Sequence, residues 1–165
     1  MKSSLFRSLW SLHLITPRGF IRLLRCFLHE GITMMAAVRF AARYHAHECA
    51  VVSDNQRIDY QDFYVFAKKL SYVLYHEYHL RSGQHVSLFC RNHLVSALLL
   101  PALSRLGVNV KLLNTDLSNE QLLQLMSRPF ALFIYDKELL QVENIDITCP
   151  QVSCESFLDT IKEQV

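Results

Sequence analysis

From Gly83 to Tyr135 the chain alternates between two apolar rhythms. Val86-Ser87-Leu88-Phe89-Cys90, Asn109 to Leu113 and Ala131 to Tyr135 are short runs of the kind that make buried strands. Between them lie a stretch from about His93 to Leu106 that is apolar nearly all round, and a second from Ser118 to about Arg128. Strand, helix, strand, helix, strand constrains the fold tightly, because a helical crossover brings the next strand back parallel to the last and does so with one hand. The expected class is therefore α/β, a partial parallel sheet with flanking helices.

Local chemistry supports these boundaries. Asp59 is suited to cap a helix running from about Tyr60 to His79, and Asp62 adds a carboxylate where the helix dipole favours one. That helix carries Phe63, Phe66, Ala67, Leu70 and Leu74 on one face. Ser118 and Gln121 have capping-box spacing. Gly107 suits a helix stop, whereas Pro101 removes a backbone donor and is expected to kink its helix or mark a later start. Upstream, residues 33–47 read as a helix, Ala50-Val51-Val52 as a short strand, and Asp54-Asn55 as a turn before Ile58. Downstream, Val152 suits a strand and Phe157 to Lys162 a short helix. The division expected is a basic helical arm (1–32), a central α/β unit (33–139) and a tail (140–165).

The arm is where charge concentrates. Residues 1–43 hold seven Lys or Arg and one acid, Glu30, whereas the remaining chain holds ten basic and fourteen acidic residues. The overall charge of +2 conceals this asymmetry, and a nucleic-acid partner for the whole chain is not expected. Residues 5–29 read as one or two amphipathic helices split near Thr16-Pro17. In the second, Arg18, Arg22, Arg25 and His29 form a basic stripe, with Phe20, Ile21, Leu24, Phe27 and Leu28 largely on the other side. Such a helix either packs on its own protein or lies on an anionic membrane surface. Arg18, Arg22, Arg25, Phe20 and Phe27 are the candidate contacts for the second case.

A hydrophobic fraction of 51% with 19% charged residues argues for a packed core. Arg91 interrupts the longest candidate for a membrane span, and Arg7 breaks the early apolar run that a signal peptide would need. Five scattered cysteines fit a reduced compartment. The location expected is cytoplasmic, with a peripheral membrane position open to the basic arm.

Motifs for chemistry are sparse. Phosphate cradles need clustered glycines, and Gly19, Gly31, Gly83 and Gly107 stand alone. His45, His47 and Cys49 alternate and His76 and His79 share a helix, yet neither set completes a metal site; Leu80 stands where H-E-x-x-H would need its second histidine. Cys149 and Cys154 have no second pair. The chain lacks the G-x-S-x-G elbow, and no catalytic, cofactor-binding or metal-binding residue is assigned.

Residues 33–139 do resemble a known family. Ala50-Val51-Val52, Ile58-Asp59-Tyr60-Gln61-Asp62-Phe63, Gly83-Gln84-His85-Val86 with Asn92, Leu106-Gly107 and Leu113-Asn114 occur in the order found at the start of the AMP-forming adenylating enzymes, the acyl-CoA synthetase and luciferase superfamily. Leu113-Asn114-Thr115 followed by Leu117 and Leu122 looks most like the long-chain and very-long-chain fatty acyl-CoA synthetases of the fatty acid transport protein type. Gln84, Asp59 and Asp62 depart from the usual aspartate, threonine and glutamate, which touches capping and loops rather than catalysis.

The resemblance implies the first part of the large N-terminal domain of an adenylating enzyme. A full-length relative would use ATP and magnesium to adenylate a fatty acid, then pass the acyl group to coenzyme A. The Thr/Ser/Gly-rich phosphate loop with its Pro-Lys, the ribose-binding aspartate and the catalytic lysine of that family are not found in residues 1–165. The expectation is a fragment of a fatty acid–CoA ligase that is inactive alone and binds none of these cofactors by itself. The alternative is a non-catalytic membrane-surface or subunit-binding module descended from that family; an unrelated small α/β domain also stays open.

Overall fold

In a computed structural model, the chain is described over residues 17–53, 56–91, 93–139 and 149–157. The elements are helices α1 (Pro17–Glu30) and α2 (Met34–Tyr44), strands β1 (Cys49–Ser53) and β2 (Gln56–Asp59), and helix α3 (Tyr60–His76). They continue with β3 (His85–Phe89), α4 (Leu94–Leu106), β4 (Asn109–Leu112), α5 (Asn119–Met126), β5 (Leu132–Tyr135) and β6 (Gln151–Ser153). The expected parallel sheet is present, with strand order β4-β3-β5-β6 and every pairing parallel.

Alternation along the strands sorts side chains to two faces. Val86, Leu88, Leu132, Ile134 and Val152 enter the main core with Leu70, Leu74, Leu98, Leu99 and Leu103 from α3 and α4. Phe89 and Phe133 point to the other face, where they meet Leu122 and Met126 of α5 together with Leu113 and Phe130. Ser87, fully buried on the sheet, satisfies its hydroxyl on the Met126 sulfur at 3.4 Å. Helix α4 is apolar nearly all round because it lies within the main core, against α3 and α2.

The caps are where expected. Asp59 accepts from the Asp62 amide at 2.9 Å, and Ser118 and Gln121 cap α5 reciprocally. Gly107 ends α4 with φ of +68°, and a Cβ there would stand 2.8 Å from the Ser82 oxygen.

Some expectations need correction. Pro101 does not mark a later start: it lies buried inside α4, whose cap at His93 fixes the start upstream. Helix α3 ends at His76 rather than near His79, which takes a left-handed φ of 54° and lets the chain turn before Gly83. Ile58 lies inside β2, a strand not expected from the sequence, which pairs antiparallel with β1. The strand at Asn109 stops at Leu112. The strand at Val152 is present and is followed by a helical turn over 154–157. Asp54-Asn55, Asn92, the first arm helix and the end of the helix expected at Phe157 to Lys162 lie outside the described residues.

The arm helix α1 is tied to this body by a buried carboxylate. Glu30, 8% exposed, accepts from Arg39 of α2 at 3.0 Å and from the Tyr64 hydroxyl of α3 at 2.7 Å, both on Oε1. Its Oε2 accepts from Arg105 Nε of α4 at 2.9 Å, and Arg105 Nη1 donates to the buried Ser71 hydroxyl at 2.9 Å. Burial alone would raise the Glu30 pKa, but hydrogen bonds from Tyr64, Arg105 and Arg39 and the Arg105 charge hold it below the ordinary value. Tyr64 is pushed up to about 12, by burial first and then by Glu30.

A carboxyl with a lowered folded pKa contributes stability that is complete above its unfolded value and is lost as pH falls through the folded value. Glu30→Ala should cost about 2–4 kcal/mol at neutral pH, read by urea denaturation, because it strands two half-buried guanidinium groups and a buried hydroxyl. The same variant should lose part of the parent's acid-induced destabilisation below about pH 4. An unchanged acid limb would contradict this role for Glu30.

Candidate functional site

In a parallel sheet, ligand sites tend to form outside the carboxyl ends of strands where successive crossovers leave in opposite directions. Here α4 carries the chain from β3 to β4 on one side, while β5 is followed by β6 on the other. The switch point therefore lies between the ends of β3 and β5. Arg91, His93, Asp136 and Glu138 gather there, joined by Cys154 and Glu155 from the end of β6.

Asp136, 2% exposed, accepts from Arg91 Nε at 2.9 Å, and Arg91 Nη2 donates to Glu138 at 2.6 Å. The Asp136 amide donates to the Phe89 carbonyl at 3.0 Å, so charge and backbone both lock β5 to β3. Burial works to raise the Asp136 pKa, but the Arg91 hydrogen bond, the Glu138 amide and the Arg91 charge outweigh it and hold the carboxyl low. Arg91 is thereby consumed as an ion-pair partner. Glu155 Oε1 accepts from the Lys137 amide at 3.1 Å, while its buried Oε2 has no hydrogen-bond partner among the described residues.

His93 caps α4. Its Nδ1 accepts from the Ser96 amide at 3.3 Å, so in the neutral ring the proton sits on Nε2, 3.7 Å from Asp136 Oδ2. The Cys154 hydrogen bond to the ring, with the nearby Cys154 and Asp136, outweighs burial and raises the His93 pKa. Cys154 is pushed far up, first by its hydrogen bond with Cys90 and then by burial, so it stays a thiol. A cysteine, a histidine and an aspartate thus lie together without forming a nucleophilic relay. The thiol is 1% exposed and protonated, and one ring nitrogen of His93 is spent on the cap.

Beside His93 opens a cavity of about 470 Å³ between the β1 strand, the ends of β3 and β4, and the first turns of α4. Val51, Val52, Leu88, Leu100, Leu112 and Leu113 dominate its wall, with Ser53, Cys90, His93 and Ser96 the polar points. An apolar chamber with a few convergent polar groups suits a hydrophobic ligand. Among the described residues it does not suit a triphosphate: no Lys or Arg of these lines it, and Gly31, Gly83 and Gly107 are isolated turn residues.

The candidates named from sequence lie elsewhere. Arg18, Phe20, Arg22 and Arg25 are exposed on α1, with Arg22 over the Tyr44 ring at 4.6 Å, whereas Phe27 is half-buried against Cys26, Ala36 and Phe40. His45 pairs with Glu48 at 2.8 Å, His47 approaches Asp59 at 3.8 Å, and His76 packs on Tyr72 and Tyr75. No group of three metal-ligating side chains converges among the described residues, and no described helix is long and apolar enough to cross a membrane. The switch-point cluster was missed from sequence. Its available signal was charge directly after an apolar strand, at Arg91 and again at Asp136.

The sheet and its helices form an α/β fold that recurs in several solved structures. No protein-family model and no curated protein matches the sequence. Among solved structures, the chain is similar to o-succinylbenzoate coenzyme A synthetase (MenE) from Bacillus subtilis in complex with AMP, at 17% identity and TM-score 0.65 over 74% of this chain and 32% of that one. It is also similar to VinN in complex with 3-methylaspartate, at 16% identity and TM-score 0.68 over 79% of this chain and 37% of that one. A third is the N-terminal subdomain of NpsA from Klebsiella oxytoca with 3-hydroxybenzoyl-AMSN, at 13% identity and TM-score 0.66 over 78% and 32%. The chain thus spans about a third of the length of these structures.

A raised histidine pKa contributes stability that is complete below its unfolded value and is lost as pH rises through the folded one. NMR titration should place His93 above the ordinary imidazole value near 6.5, and Asp136→Asn should move it down. Native Cys154 should resist a thiol reagent that labels it once the chain is unfolded.

Proposed function

We propose that these residues form the scaffold of an ATP-dependent acid–thiol ligase, the first part of its large domain, and that the acid is a fatty acid. The observation that supports the reading is the likeness of 74% of this chain to 32% of the coenzyme A synthetase structure, at TM-score 0.65. The choice of a fatty acid is supported by the Leu113-Asn114-Thr115 resemblance and by the leucine- and valine-lined cavity beside His93. In the whole enzyme ATP, magnesium and coenzyme A would be held by residues other than those described here, and no step of the reaction is assigned to this chain.

ATP–pyrophosphate exchange tests this directly. The 165-residue chain should give none with any acid. A product of the same reading frame that includes a phosphate loop should exchange with long-chain fatty acids in preference to o-succinylbenzoate or 3-hydroxybenzoate. Exchange by the 165 residues alone would overturn the scaffold reading, and an aromatic preference would overturn the fatty acid. A second reading, a non-catalytic module descended from the same fold, is favoured by the exposed face of α1.

A further inference from the structure

We infer that α1 is a lipid-interface helix that docks this protein on an anionic bilayer. Its three faces separate cleanly at about 100° per residue. The inward face, Gly19, Cys26 and Glu30 with half-buried Leu23 and Phe27, packs on α2 and carries the Glu30 anchor. A second face is apolar and open to solvent: Phe20 is 62% exposed, Ile21 51%, Leu24 47% and Leu28 79%. Beside it runs the third, with Arg18, Arg22, Arg25 and His29 all exposed. Neither Arg18 nor Arg25 forms an ion pair among the described residues.

Folding does not require the apolar face, since the helix is already held through its inward one. An apolar stripe bordered by arginines matches the two layers of a lipid interface, acyl chain beneath and phosphate above. Charge argues against other occupants. Residues 1–16 carry Lys2 and Arg7 and no acid, so they cannot neutralise the arginines. A second copy would bring the same positive stripe against this one. An anionic headgroup layer supplies the missing sign along the whole helix. Phe27, turned inward, is not among the inserting groups; Ile21, Leu24 and Leu28 join Phe20 instead.

Vesicle flotation of the 165-residue chain provides the test. Vesicles of mixed phosphatidylcholine and phosphatidylglycerol should carry the chain, and pure phosphatidylcholine should not. Arg18→Glu with Arg25→Glu should weaken binding at least about tenfold, while Arg18→Lys with Arg25→Lys should retain it. Leu24→Ser with Leu28→Ser should also release the chain, with circular dichroism unchanged because both positions are exposed. Equal binding to neutral vesicles, no binding, or indifference to both sets of variants would overturn the inference. So would a dimer that the serine variant dissociates while vesicles stay unbound, which would give the face to a second copy. The outcome is independent of pyrophosphate exchange.

Discussion

The placement of α1 on the body of the protein depends on one carboxylate. Glu30 sits where α1 ends, and its partners come from three other helices: Arg39 from α2, Tyr64 from α3 and Arg105 from α4. A buried charge is tolerated only when its lone pairs are filled and a counter-charge is near, and here both conditions are met by neighbours that must all be in place together. The network orients α1, so that one side faces Ala36 and Phe40 while the opposite side is left outward. The amphipathic helix is thus packed on its own protein and open to a surface at once, two states that sequence reasoning set against each other.

At the far end of the sheet a second charged cluster works differently. Arg91, Asp136 and Glu138 clamp the ends of β3 and β5 at the position where parallel folds tend to bind ligands. With the arginine consumed by carboxylates and the cysteine kept protonated, the cluster holds backbone in place and leaves the adjoining apolar cavity as the feature suited to recognition. His93 belongs to both, capping α4 with one nitrogen and facing Asp136 with the other.

Much of the fold was legible because it rests on local rules. Asp59, Ser118 and Gly107 act through hydrogen bonds or backbone angles within a few residues, and period-two or near-continuous apolar runs marked β3, β4 and β5. Pro101 did not mark a later start because the cap at His93 begins the helix upstream of it. Strand β2 was hidden because Gln56, Arg57, Ile58 and Asp59 are mostly polar, as a solvent-facing hairpin partner can be. The switch-point cluster was not legible. Its members are 45 and more residues apart in the case of Arg91 and Asp136, and only strand order brings them together.

The Glu30 network also has a history in time. Arg105 lies 75 residues after Glu30, so a growing chain carries the carboxylate through the making of α2, α3 and β3 before its last partner exists. Strand β5, which gives β3 its second neighbour, arrives later still. All described partners of Glu30 are thus synthesised before the strand that gives β3 its second neighbour. A chain interrupted between Arg105 and β5 would hold every group of the carboxylate network and still leave one edge of β3 unpaired.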